Sequence, residues 1–300
     1  MLSACAREAA TKPLAQAKPP LEFLGEWGTK GDGPEQLSAP LTLASDAAGS
    51  VFISDPGSSF VHKFTSRGEP LLSFQDPLVA KPGPLALDSG GGIYVADFDT
   101  SRVFIFDPDG NRLREQRRGG KAGFKSVASL AVDADGNIFV LELEAAQILK
   151  FDSKGRFRKA WGKKGTGPGE FETPGEIAAG PDGFVYLADQ GNSRIQKFTR
   201  EGISVSAWSD GPAGTAGIKR PAGIALNDRF VVATDEGSAR IFVWTLDGVP
   251  LYVGDLTARL TPRTQAWYWE TIAGIAFVGG NEFVLLDPNG PNVLRFRINL

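Results

Sequence analysis

Three hundred residues with 42% apolar side chains are enough to bury a substantial core. A net charge of −3 and a pI near 5.4 speak against bulk electrostatic binding of nucleic acid. One cysteine (Cys5) excludes an internal disulfide framework, one histidine (His62) excludes a zinc site of several His or Cys ligands, and no run reaches the length of a transmembrane helix.

Residues 1–20 are rich in Ala, Lys and Pro, carry no strand pattern and read as a flexible tether ahead of one domain, 21–300. Leu2-Ser3-Ala4-Cys5 resembles a bacterial lipobox, whose Cys becomes acylated after signal cleavage. Only Met1 precedes Leu2, where a secretory signal needs a basic start and an apolar stretch. Two placements stay open. One is a lipoprotein of the cell envelope or periplasm, touching the membrane only through a lipid on Cys5; the other is a cytoplasmic protein with an incidental thiol.

From Leu21 on, the chain repeats one unit. Its clearest copy runs from Pro174 to Trp208: a small apolar run, a Pro-Asp-Gly turn, the alternating run Phe184–Asp189, a polar loop, Arg194–Phe198, a Glu-Gly turn, and a last run ending at Trp208. Four short β-period runs separated by turn residues predict a four-stranded antiparallel meander. An acidic residue ending the second run recurs at Asp55, Asp97, Glu142, Asp189, Asp235 and Asp287, in steps of 42, 45, 47, 46 and 52 residues. That period predicts an all-β, six-bladed β-propeller of four-stranded blades. The sixth unit has three runs before Leu300, while Leu21–Gly28 has the fourth-run pattern, ending in Trp-Gly like Ala160-Trp161-Gly162. The N-terminal strand is therefore expected to complete the last blade and close the ring.

The unit resembles the NHL repeat, and Ala178, Gly183, Tyr186, Asp189, Asn192, Arg194, Ile195, Gln196 and Phe198 carry the resemblance nearly throughout the fourth copy. The Gly-rich connectors 28–34 and 162–168 also look like that family's inter-blade segment. Phe60, Gln147 and Asn292 stand where Arg102, Arg194 and Arg240 occupy other copies. The resemblance implies the fold; it leaves function open, since such propellers serve as enzymes, RNA-binding proteins, scaffolds and envelope proteins.

Candidate rim residues follow. Asp97, Asp189 and Asp235 each precede an Arg (Arg102, Arg194, Arg240) by five residues, so each pair either pins its loop or joins a rim site. Trp267, Tyr268 and Trp269 lie in an insertion within 255–270, and alternation cannot bury all three against one neighbour. From Arg102 to Lys164 there are 14 Lys or Arg against 8 Asp or Glu. Arg112, Arg114, Arg117 and Arg118, then Arg156, Arg158 and Lys159, form a basic strip on outer strands, read either as a solvated edge or as a surface for an anionic partner. Asp133-Ala134-Asp135-Gly136-Asn137 mimics a calcium loop but has Ile138 where the sixth-position Gly belongs, and reads as a hairpin turn.

The function expected is a non-catalytic scaffold that binds protein, peptide or cell-envelope polymer through rim loops, as a monomer and without a cofactor. The alternatives are a lactonase- or esterase-like hydrolase with one Ca²⁺ in the channel, for which Glu176, Asn227, Glu142 and Asp287 are available, and RNA binding by the basic strip. His62, inside Phe60–Phe64, reads as a strand residue rather than a catalytic one.

Overall fold

The computed structural model describes residues 18–117, 123–236, 238–260, 274–287 and 290–300. Strand β1 (Leu21–Trp27) comes first in the chain and last in the ring. Blade one holds β2 (Thr42–Ser45), β3 (Val51–Asp55), β4 (Phe60–Phe64) and β5 (Pro70–Phe74). Blade two holds β6 (Pro82–Leu87), β7 (Ile93–Asp97), β8 (Val103–Phe106) and β9 (Arg112–Gln116). Blade three holds β10 (Val127–Val132), β11 (Ile138–Glu142), β12 (Gln147–Phe151) and β13 (Phe157–Trp161). Blade four holds β14 (Ile177–Ala179), β15 (Phe184–Asp189), β16 (Arg194–Thr199) and β17 (Ser204–Trp208). Blade five holds β18 (Pro221–Leu226), β19 (Phe230–Asp235), β20 (Arg240–Thr245) and β21 (Pro250–Asp255). Blade six holds β22 (Ile275–Gly279), β23 (Glu282–Leu286) and β24 (Val293–Ile298), with β1 as its fourth strand.

Ring closure is as the sequence predicts. β1 runs antiparallel to β24, from Leu21 opposite Ile298 to Trp27 opposite Val293, and the Asn299 N–H donates to the Pro20 carbonyl at 2.9 Å. The open edge of β24 is thereby paired. Hairpin turns are set by Asx geometry. At Asp133 one carboxylate oxygen accepts the N–H groups of Asp135 (3.0 Å) and Asn137 (2.8 Å), so the calcium-loop mimic is a turn whose acceptor is already used.

Stability lies between blades rather than within them, because a four-stranded sheet cannot cover both its own faces. Phe139 and Leu141 of blade three pack with Ile177, Val185 and Leu187 of blade four, and comparable buried clusters bridge each other pair of neighbours. Each fully buried side chain of this size contributes about 1.5–3 kcal/mol. A second device works at the outer wall. The aromatic ending a fourth strand rests on the turn glycine of the next blade: Phe74 on Gly110, Trp161 on Gly202, Trp208 on Gly248 and Trp27 on Gly68. These glycines have φ of +75° to +88°, and a Cβ on any of them would lie 2.4–2.8 Å from the ring. Gln116 replaces the aromatic between blades two and three, donating instead to the Gly155 carbonyl at 3.0 Å.

Candidate functional site

Connectors from the outer wall return to the axis and enter the inner strands at one end of the disc. At the same end, each second strand turns into the third. Between these segments lies a cavity of about 930 Å³ to which every blade contributes. Its wall is mainly apolar (Pro40, Leu85, Val127, Pro174, Ala222, Leu286), with few polar groups among them: Lys30, Lys81, Glu176, Gln190, Asp287 and several hydroxyls.

The recurring acids do not form a ring of free carboxylates at this mouth. All six are buried, and five of them accept N–H groups of the incoming connector. Asp55 accepts from Ser38 and Ala39, Asp97 from Lys81, Glu142 from Lys125, Asp189 from Glu172, and Asp235 from Lys219 and Arg220, at 2.7–3.3 Å. Burial alone would raise the Asp55 carboxyl, but His62 and the Ser38 and Ala39 amides outweigh it and hold it below the ordinary value. The Arg pairing holds in two blades. Arg194 Nε donates to Asp189 at 2.9 Å, and Arg240 reaches Asp235 at 3.4 Å. Arg102 instead donates two parallel hydrogen bonds to Glu115 of β9, each 3.1 Å, while Thr100 donates to Asp97 through both its N–H and its hydroxyl.

Glu176 differs from these acids. It sits between Gly175 and β14, lines the cavity, and accepts the Ile224 N–H from blade five at 2.9 Å, its one side-chain hydrogen bond among the described residues. A Cβ on Gly175 would lie 2.8 Å from the Ala222 carbonyl oxygen, so blades four and five approach closely here. Glu176 is half-buried, and burial pushes its carboxyl well above the ordinary 4.5, the Ile224 amide opposing only in part. Among the described residues no three His, Cys, Asp or Glu side chains converge as metal ligands. Asn227 lies at the far end of the disc, holding the β18–β19 turn.

Comparisons with known proteins agree with this geometry. A family model described as a 6-bladed beta-propeller matches residues 124–206, and one described as the NHL repeat matches residues 80–106, in blade two rather than in the fourth copy. The chain is a six-bladed β-propeller, with a match to the NHL repeat at residues 80–106. No curated protein sequence matches it. Among solved structures, this propeller is similar to a streptogramin B lyase (16% identity, TM-score 0.65, covering 93% of this chain and 98% of that one). It is similar also to a catalytically inactive His-to-Ala virginiamycin B lyase from Staphylococcus aureus with quinupristin (17%, 0.61, 87% and 81%), and to a chain of a nidogen/laminin complex (14%, 0.59, 79% and 84%). At these identities the likeness is one of fold.

The basic strip of the propeller is largely neutralised by its own neighbours. Arg112 pairs with Asp76, Arg117 with Glu115, and both Arg156 and Arg158 with Asp152. The Arg156 amide, then both guanidinium groups, overcome burial and hold the Asp152 carboxyl far below its ordinary range. Arg114 donates to Gln116 and Lys159 to the Glu201 carbonyl. Arg118, the aromatic run Trp267-Tyr268-Trp269 and Cys5 lie outside the described residues. His62 is fully buried on β4, its Nδ1 within 3.0 Å of Ser73 Oγ and its Nε2 3.7 Å from Asp55.

Proposed function

We propose that the protein is a non-catalytic binding propeller that receives a segment of a protein or peptide partner in the cavity at the connector end. The observation that supports this most is the cavity itself: about 930 Å³, formed by all six blades, mainly apolar, with a few fixed polar groups. The hydrolase reading finds no histidine in the cavity wall. The only histidine in the sequence is enclosed on a third strand of blade one, outside the cavity lining. By contrast, the virginiamycin B lyase it resembles in fold is described as inactive when a histidine is replaced by alanine. The nidogen/laminin relative shows that a similar fold occurs in a protein–protein complex. Residence in the cell envelope rests on Leu2-Ser3-Ala4-Cys5 alone, and mass spectrometry of the N-terminal peptide for an acylated Cys5 tests it.

The binding reading is tested by selecting peptides from a random display library on the wild type and on Ala39→Trp. Ala39 is exposed at the mouth, so the indole fills the cavity without touching a core. Peptides enriched on the wild type should lose binding to the variant. Equal capture by both, or no enrichment, would remove this reading.

A further inference from the structure

The cavity holds a carboxyl group for which the described chain supplies no counter-charge. The strands packed on β14 are β10, β15 and β18. Their only charged side chain is Asp189, whose oxygens are taken by Glu172 N–H, Asn192, Arg194 and Gln196. The other charged residues of the cavity wall are Lys30, Lys81 and Asp287. Lys81 is held by Asp99 at 2.8 Å, and Asp287 is itself engaged and buried. Among the described residues neither these groups nor Lys30 makes an ion pair with Glu176, whose one side-chain hydrogen bond is to the Ile224 amide. A carboxylate so placed is costly until a cation arrives, and a cation that arrives on an apolar stem can use the Pro and Leu wall as well.

Resting on the binding reading above, we infer that the cavity receives a protonated primary amine on an aliphatic stem, a lysine side chain of the partner, with its ammonium against Glu176. Burial lets the carboxyl keep its proton to higher pH than a free glutamate, while one of its oxygens accepts the Ile224 N–H. On binding, the carboxylate pairs with the ammonium, and any O–H proton it carried leaves to solvent. No bond to carbon forms or breaks. Binding a protonated amine therefore lowers the Glu176 pKa and releases protons at pH values between the free and the bound one. A guanidinium head is bulkier and planar and needs a bidentate acceptor, whereas one Glu176 oxygen is already committed to Ile224.

The probes are Nα-acetyl-lysine methylamide and its uncharged counterpart Nα-acetyl-norleucine methylamide. Both are titrated calorimetrically into the full chain in two buffers of different ionisation enthalpy. The lysine probe should bind at least about tenfold tighter than the norleucine probe, as charge-assisted hydrogen bonds do, with a buffer-dependent heat that reports the proton. Glu176→Gln, which keeps the shape and the Ile224 contact, should erase that preference and the proton release; Glu176→Asp should restore part of both. Equal affinity for the two probes, or a lysine preference unchanged in Glu176→Gln, overturns the inference. If library peptides still bind and still depend on the mouth in that case, the binding reading survives it; if they do not, both fail.

Discussion

The indole of Trp27 lies on Gly68, and its Nε1 donates to the Ser66 carbonyl at 3.1 Å. These residues are near neighbours only because β1 completes blade six, so one contact joins the end of the ring to its beginning. Replacing Trp27 by Ala should cost about 2–4 kcal/mol in urea unfolding, the indole being half-buried. A chain starting at Lys18 should unfold like the parent, because Pro19 and Pro20 still meet Asn299. One starting at Gly28 should lose far more than the single substitution. Similar unfolding of both truncations would contradict the closure.

Asp189 and Asp97 occupy the same place in their blades but should respond differently. Asp189→Ala takes one acceptor from the half-buried Arg194 and from the buried Gln196 and breaks the ion pair of a fully buried carboxylate, which costs about 3–5 kcal/mol. Asp97→Ala loses the Lys81 and Thr100 hydrogen bonds and no ion pair, about 1–3 kcal/mol. Paired unfolding curves in urea check the order, and equal losses would mean that the arginine adds nothing.

Glu176 gives a pH dependence of definite sign. Its folded pKa is raised, so the folded state holds the proton more tightly than the unfolded chain does. Its contribution is complete below the unfolded value, falls as pH rises from there through the folded value, and is then lost. Melting temperatures of Glu176→Gln and wild type should agree best in acid and diverge upward in pH, with the variant the more stable. Parallel curves from pH 4 to pH 9 would refute a neutral Glu176.

The connectors after β1 and β13 share one miniature fold, each with a parallel bridge (Lys30 to Leu37, Lys164 to Phe171). In one, the Gly33 N–H donates to Gln36 Oε1; in the other, the Gly167 N–H donates to Glu170 Oε2. That amide, then Lys163, outweighs burial and lowers the Glu170 carboxyl. Because Gln36 does the same work uncharged, Glu170→Gln should leave the melting temperature unchanged, whereas Glu170→Ala should lower it. A loss in the Gln variant as large as in the Ala variant would show that charge, rather than the acceptor oxygen, sets the loop.

The β-period and the acidic spacing made all six blades legible, down to Phe184–Asp189, whose bounds agree in sequence and structure. Turn chemistry and alternation are local, so they survive without coordinates. The Asp97–Arg102 pairing was misjudged for a reason visible afterwards. Glu115 lies opposite Phe104 on β9, where blades four and five place Ala207 and Val253, and an acid there captures the Arg. The basic strip likewise looked unbalanced because Asp76 lies outside the counted stretch, and a plain sum does not show that Asp152 holds both Arg156 and Arg158. Glu176 was named as available, yet nothing near it in sequence announces Ile224, 48 positions on.

Leu21 enters blade six beside Ile298, at the end of the disc where third strands turn into fourth. The mouth opens at the opposite end. Anything joined ahead of Lys18, whether a lipid-bearing leader or a fused label, consequently departs from the back of the wheel near its circumference. A protein immobilised by that route would hold its opening toward the surrounding solution, so surface attachment there should leave capture intact, while attachment through the connector loops should obstruct it.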